Sequence, residues 1–299
     1  MGKKLLAASL VGILMLFALT QPQQSARAVC LGWERATAHL LPSLFPVSVL
    51  CLFLYYSKLA PLWHRLLQAP AKAVTGVEGP LVAPLSFGLL CGFPTGALVL
   101  KQQYDQGAIS REQFACGNLF CHNAGLGFLF SYLPSQLGPR GALCVALGQL
   151  CALGILARIA RRLYPLQAPA TPYRPKTLPW ARAFSQALRQ GTVSLAMAGA
   201  AVIFFSFASR CASFYLKELL PPGMLAVFLG SLELTGACQL AGARVGLCAL
   251  AVGWGGLCVG AQVSAACHPL SLPKQTLYFR LAQAALCFAF SQVFSQIIL

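Results

Sequence analysis

Residues 85–114, LSFGLLCGFPTGALVLKQQYDQGAISREQF, decide how the rest of the chain is read. An apolar run is interrupted by Gly92-Phe93-Pro94-Thr95-Gly96, resumes over 97–100 and then turns polar. Glycine and proline are poor residues for the middle of a helix. In a bilayer the backbone must satisfy its own hydrogen bonds, and irregular backbone is tolerated only against protein or a wet cavity. The interruption therefore predicts a re-entrant hairpin that bends near 92–96 and leaves on the side it entered.

The composition places this stretch in a membrane. Of 299 residues, 58% are hydrophobic and 9% are charged, with mean hydropathy +0.70. A soluble domain carries about 25% charged residues. Apolar segments near 5–20, 40–57, 80–100, 113–134, 141–157, 188–209, 222–241, 245–266 and 281–299 predict an all-α polytopic protein with eight or nine membrane segments. Residues 29–39, VCLGWERATAH, read as a short amphipathic stretch at an interface.

The formal charge of +16 comes from 22 basic and 6 acidic residues. The basic residues sit between apolar runs and form no stripe with interleaved aromatics, which argues against nucleic acid. They follow the positive-inside pattern, with attraction to anionic solutes or headgroups as a second reading. Lys3 and Lys4, then Lys58, Arg65 and Lys72, then Arg158, Arg161, Arg162, Arg174, Lys176, Arg182 and Arg189 each mark a cytoplasmic side. Three apolar runs lie between the loop at 58–79 and the linker, yet an even number must cross. The run at 80–100 is the one expected to turn back.

Four boundaries follow. Residues 1–28 read as a signal anchor or a signal peptide, with small residues at Ala26 and Ala28. Residues 29–163 form a first half, the proline-rich stretch 164–187 a cytoplasmic linker, and 188–299 a second half. The second half has its own glycine-broken stretch, GWGGLCVGAQ at 253–262. It aligns Gly256-x3-Gly260-Ala261 with Gly92-x3-Gly96-Ala97. Such spacing can simply let helices approach closely. Breaks at corresponding places of two halves also point to a transport site between inverted repeats.

The candidate site residues gather at these breaks. Glu233 is the one acidic residue within an apolar run, where an ionisable group needs a partner or a cavity. A buried carboxyl there would suit carrying a proton or answering a cation. Asn118 and His122 lie one helical turn apart, with Asn123 next to them; they can serve as helix–helix glue or as solute ligands. Thr95 and Thr235 sit beside breaks. Gly92, Phe93, Pro94 and Gly96 form the first turn, Gly255 and Gly256 the second, and Gln262 offers two donors and two acceptors. Arg244 and Arg280 flank the late segments as topological anchors.

Most of the thirteen cysteines lie inside apolar runs without CxxC or metal-ligand spacing, and read as small hydrophobes. No HExxH, GxSxG or P-loop occurs, so no enzyme and no cofactor is expected.

LLPSLFPVSVL (40–50), GFPTGA (92–97) followed by YDQGAISREQF, CHNAG, SLELTGA (231–237) and GWGGLCVGAQ, in that order, resemble the sporulation integral membrane protein YlbJ family, which contains the nucleoside recognition or Gate domain. The resemblance covers about residues 35–290. It implies two inverted Gate-like halves with re-entrant or broken helices. It also implies a place in the outer forespore membrane and movement of dipicolinic acid toward the spore. It carries solute contacts onto Gly92–Gly96, Asn123, Glu233, Thr235, Gly255, Gly256 and Gln262. Cys258 stands where the family has serine, and His122-Asn123-Ala124 departs from its polar pattern. A nucleoside-type permease and a non-transporting membrane scaffold of spore formation are the alternatives.

Overall fold

The computed structural model describes residues 2–164 and 176–299, apart from the Lys3 side chain. Four of the linker prolines (165, 169, 172 and 175) and Arg174 lie outside the described residues. Every regular element described is helical: α1 (Gly2–Thr20), α2 (Pro22–Glu34), α3 (Leu41–Tyr56), α4 (Ala60–Thr75), α5 (Val82–Leu90), α6 (Thr95–Asp105), α7 (Arg111–Gly117), α8 (Leu133–Leu163), α9 (Trp180–Leu216), α10 (Pro222–Leu232), α11 (Leu234–Ala241), α12 (Val245–Trp254), α13 (Gly256–Cys267) and α14 (Thr276–Ile298).

Five helical stretches are long and apolar enough to cross a membrane: Pro22–Tyr56, Phe128–Leu163, Trp180–Leu216, Val245–Cys267 and Thr276–Ile298. A sixth arises if the pair Ala60–Thr75 and Gly79–Leu90, bent by 93°, is one span. This is an integral membrane architecture with five or six candidate spans, set against eight or nine expected membrane segments of which the run at 80–100 was to turn back. Three expected segments fall short because their backbones break. The run 80–100 divides into α5 and α6, 113–134 into α7 and an irregular stretch, and 222–241 into α10 and α11.

Two further expectations shift. Residues 29–39 are the middle of one continuous rod, Pro22–Tyr56, in which a π-helical turn at Arg35–Leu40 joins α2 to α3. The linker ends sooner than 187, because Pro179 caps α9 at Trp180.

Contacts fix the two ends of the bundle. Leu178 N–H donates to the Tyr56 carbonyl at 2.7 Å, so the rod ends beside the start of α9. Arg210, near the other end of α9, donates to Gln24 Oε1 at 2.5 Å. The two therefore run antiparallel, from a linker end to a far end. Arg158 donates to the carbonyls of Ala73 and Val74, and Arg161 to that of Gly76, which holds α4 against the linker end of α8. Tyr164 Oη donates to Gln275 Oε1 at 3.4 Å, placing the start of α14 at the linker end too.

The stretch Phe128–Leu163 is not straight. Gly138 adopts φ +71° and ψ 166° ahead of Pro139. Gln149 Nε2 donates to the Ala124 carbonyl at 3.0 Å, while its Oε1 accepts from the Ala124 N–H at 3.1 Å. A continuous helix would hold residues 25 apart at ~37 Å. The chain therefore climbs to Gly138 and descends along the rest of α8.

Helices α5 and α6 fold back on each other as a hairpin from the linker end, with its tip at 91–94. The close approach needs glycine. A Cβ on Gly96 would lie 2.9 Å from Gly88 Cα and 2.3 Å from the Cys121 carbonyl oxygen. Helices α10 and α11 form a second hairpin from the far end, with Glu233 at its tip. All thirteen cysteines are free; eleven are buried and pack as small side chains.

Candidate functional site between two hairpin tips

Each hairpin tip rests on a break in the span that follows it. In the first half, a Cβ on Gly92 would fall 2.7 Å from the Gly125 nitrogen, inside the irregular stretch between α7 and Phe128. In the second, a Cβ on Gly256 would fall 2.9 Å from the Leu232 carbonyl and 3.2 Å from the Glu233 nitrogen. Gly255 and Gly256 have φ +78° and +81°, so α12 stops there and α13 starts anew. The structural partner of the GFPTGA turn is thus the Glu233 tip, whereas GWGGLCVGA matches the break after α7. The glycine register expected from sequence paired a hairpin with a span.

The two tips, the first break and α13 border a cavity of about 40 Å³. Gly92, Phe93, Glu233, Thr235 and Gln262 line it, together with Cys258. Gln262 Nε2 reaches Cys258 Sγ at 3.3 Å. This brings five of the thirteen sequence-predicted residues to one place.

Glu233 is extended (φ −143°, ψ 133°) and is the N-cap of α11. Its Oε1 accepts from the Thr235 N–H at 2.8 Å, and its Oε2 from Thr235 Oγ1 at 2.5 Å and the Gly236 N–H at 2.7 Å. Arg35 Nη1 lies 3.5 Å from Oε2. The Glu233 and Arg35 side chains are 3% and 12% exposed. Arg35 also donates to Ser206 Oγ at 3.3 Å and to Gln239 Oε1 at 2.5 Å. The expected proton-carrying carboxyl is thus tied into a cap and an ion pair. A cap of this kind contributes about 1 kcal/mol, and breaking a buried ion pair costs several.

The remaining expected residues do not line the cavity. Thr95 Oγ1 meets Ser194 Oγ at 3.3 Å and joins the first hairpin to α9. Pro94 caps α6, and Gly96 serves the hairpin contact. Asn118 Nδ2 donates to the Phe114 carbonyl at 2.9 Å, and its Oδ1 meets His122 Nε2 at 3.1 Å. Asn123 Nδ2 donates to the Phe120 carbonyl at 2.9 Å, and its Oδ1 accepts from Gln283 Nε2 at 3.0 Å. Gln149 completes the set at Ala124. Asn123 and Gln149 satisfy backbone groups that the break leaves without helical partners, whereas Asn118 shares the Phe114 carbonyl with its own backbone N–H.

Arg280 is more than a flanking anchor. Its guanidinium carbon lies 5.1 Å from the Phe93 ring centroid, and its Nη1 donates to the His122 carbonyl at 2.7 Å. Arg35, Gln149 and Gln283 escaped the sequence reading, and Arg280 was read only as an anchor. Each was a single polar residue in or beside an apolar run, and only a spatial partner explains it.

Two larger openings flank the cavity. The far-end vestibule is about 480 Å³, and Arg27, Arg35, Ser206, Arg210, Glu233 and Gln239 line it. The linker-end vestibule is about 290 Å³ and includes His122, Gly256, Lys274, Thr276 and Arg280. Among the described residues, Glu233 is the one acidic side chain lining either, so both present net positive charge. No three His, Cys, Asp or Glu side chains among the described residues are grouped to hold a metal ion.

No family model, no curated protein and no solved structure matches the chain.

Proposed function

We propose that the protein is a membrane transporter of a small anionic metabolite. The solute passes between the two basic vestibules through the cavity where both hairpin tips meet. One observation carries this reading: a small cavity, largely apolar but reached by Glu233, Thr235 and Gln262, lies between net-positive openings at opposite ends of the bundle. In a membrane each hairpin would be re-entrant, one from each side, as in transporters that bind solute between inverted halves.

The cavity has room for about three waters. An aromatic diacid is larger, so the described arrangement is the occluded one, and loading requires a tip to move. Arg35 holds the far tip through Glu233, and Arg280 holds the other through Phe93. An incoming carboxylate competes for either arginine and loosens the tip that arginine holds. In this reading Glu233 is a gate residue rather than a solute ligand, and Gln262 and Thr235 contact the solute.

The resemblance to YlbJ proteins supports dipicolinic acid as the solute and the outer forespore membrane as the location. A nucleoside would find Phe93 to stack on, but few free hydroxyl partners. A pure scaffold would need no cavity between tips. The test is uptake of labelled dipicolinate into proteoliposomes. Saturable uptake is expected, displaced by unlabelled dipicolinate and not by adenosine. Uptake no faster than in protein-free vesicles overturns the proposal.

A further inference from the structure

We propose that the linker-end vestibule is an anion-binding site in its own right, holding a carboxylate anion with an apolar body against Lys274, Thr276 and Arg280. The site extends the transport reading without depending on it.

The first observation is a cation without a counterion. Arg280 is half-buried, and its Nη2 is buried with no acceptor. Its Nη1 is served by the neutral His122 carbonyl and, at 3.2 Å, by Gln283 Oε1. No acidic side chain pairs with it among the described residues. The chain has only six acids, and of these Glu78, Asp105, Glu218 and Glu233 form ion pairs elsewhere. A desolvated guanidinium is costly unless paired, so the missing negative charge belongs to a ligand.

The second observation is the convergence around it. Thr276 Oγ1 is also buried without a partner, and both residues line the same vestibule. Lys274 lines it too and is exposed. Helices α13 and α14 both begin there, at Gly256 and Thr276, and helix N-termini favour anions. The remaining wall is apolar, with Trp254, Leu257, Leu272 and Leu277. Charge at one side and greasy walls at the other suit a carboxylate on a ring or short chain better than a bare inorganic ion. Because Arg280 also stacks on Phe93, a ligand that draws it away frees the first hairpin tip.

The experiment is thermal unfolding of the purified full chain in detergent, titrated with pyridine-2,6-dicarboxylate, benzoate, sulfate or uncharged pyridine. A saturable rise in Tm is expected with the two carboxylates and not with pyridine. Lys274→Gln and Thr276→Val should each weaken the apparent affinity, the lysine change by about tenfold, as for loss of one charge-assisted hydrogen bond. Arg182→Gln, which removes an exposed charge on α9, should leave it unchanged. Unaltered affinity in both Lys274→Gln and Thr276→Val overturns the site, as does sulfate protecting as well as the carboxylates. Binding that persists without uptake contradicts the transport reading alone; uptake without this binding contradicts the site alone.

Discussion

Arg35 and Glu233 come from opposite halves of the chain and meet with their nearest nitrogen and oxygen 3.5 Å apart. One sits at the start of a π-helical turn and the other at the tip of a hairpin. Their contact ties a full-length rod to a segment that enters the bundle and turns back. The same side-chain pair stands between the central cavity and the far-end vestibule, since Glu233 lines both.

Arg35→Ala removes the charge partner of Glu233 and a donor to Ser206 and Gln239. It should cost about 2–4 kcal/mol, less than a wholly buried pair because Arg35 also lines the open vestibule. Glu233→Gln keeps an acceptor for the cap and should cost less. Thermal unfolding of the two single variants and the double variant gives the coupling. The double should recover at least about 1 kcal/mol relative to the sum of the singles. Strict additivity would mean that the pair does not hold the tip.

Gly96 and Gly260 occupy matching places in the expected glycine register but not in the structure. A Cβ at Gly96 meets backbone at 2.3 Å, whereas at Gly260 nothing lies within 4 Å. Gly96→Ala should destabilise by about 2 kcal/mol or more through overpacking. Gly260→Ala, on an exposed helix position, should be neutral or stabilise by up to about 1 kcal/mol. Denaturation midpoints of the two variants decide the matter.

Gln149→Leu leaves the N–H and the carbonyl of Ala124 without partners. Each buried orphan costs about 1–3 kcal/mol. Hydrogen exchange at 122–126 should accelerate more than anywhere else in the chain, since the break loses its clamp. Uniform exchange across the molecule would speak against a local role.

The first hairpin was legible because Gly92, Pro94 and Gly96 interrupt greasy sequence in plain view. Its entry from the linker end agrees with the count of basic loops. The second hairpin hid because its tip is a glutamate in extended conformation, capping its own helix, with no glycine or proline at the turn. A search for glycine found Gly255 and Gly256 instead, which mark a break within a span. The reversal at Gly138-Pro139 was visible as the gap between two apolar runs. Arg35 was unreadable: within VCLGWERATAH its charge looks interfacial, and its reason lies in Glu233, Ser206 and Gln239 far along the chain. Asn118 and Asn123 were singled out for the right polarity, but Asn118 bonds within α7 and to His122, and Asn123 bonds to the Phe120 carbonyl at the break and to Gln283. The apolar runs outnumber the candidate spans because hydropathy alone does not distinguish a run that crosses from one that folds on itself; at 80–100 the basic loops and the glycines made that distinction.

Cys258 gives the most direct test of the central claim that a cavity between the tips opens to water in turn. It lines that cavity and is 1% exposed. In a chain whose other cysteines are replaced, a small anionic methanethiosulfonate should label Cys258 in proteoliposomes, abolish dipicolinate uptake, and be slowed by dipicolinate itself. A Cys258 that stays unlabelled from both sides while uptake proceeds would contradict the account.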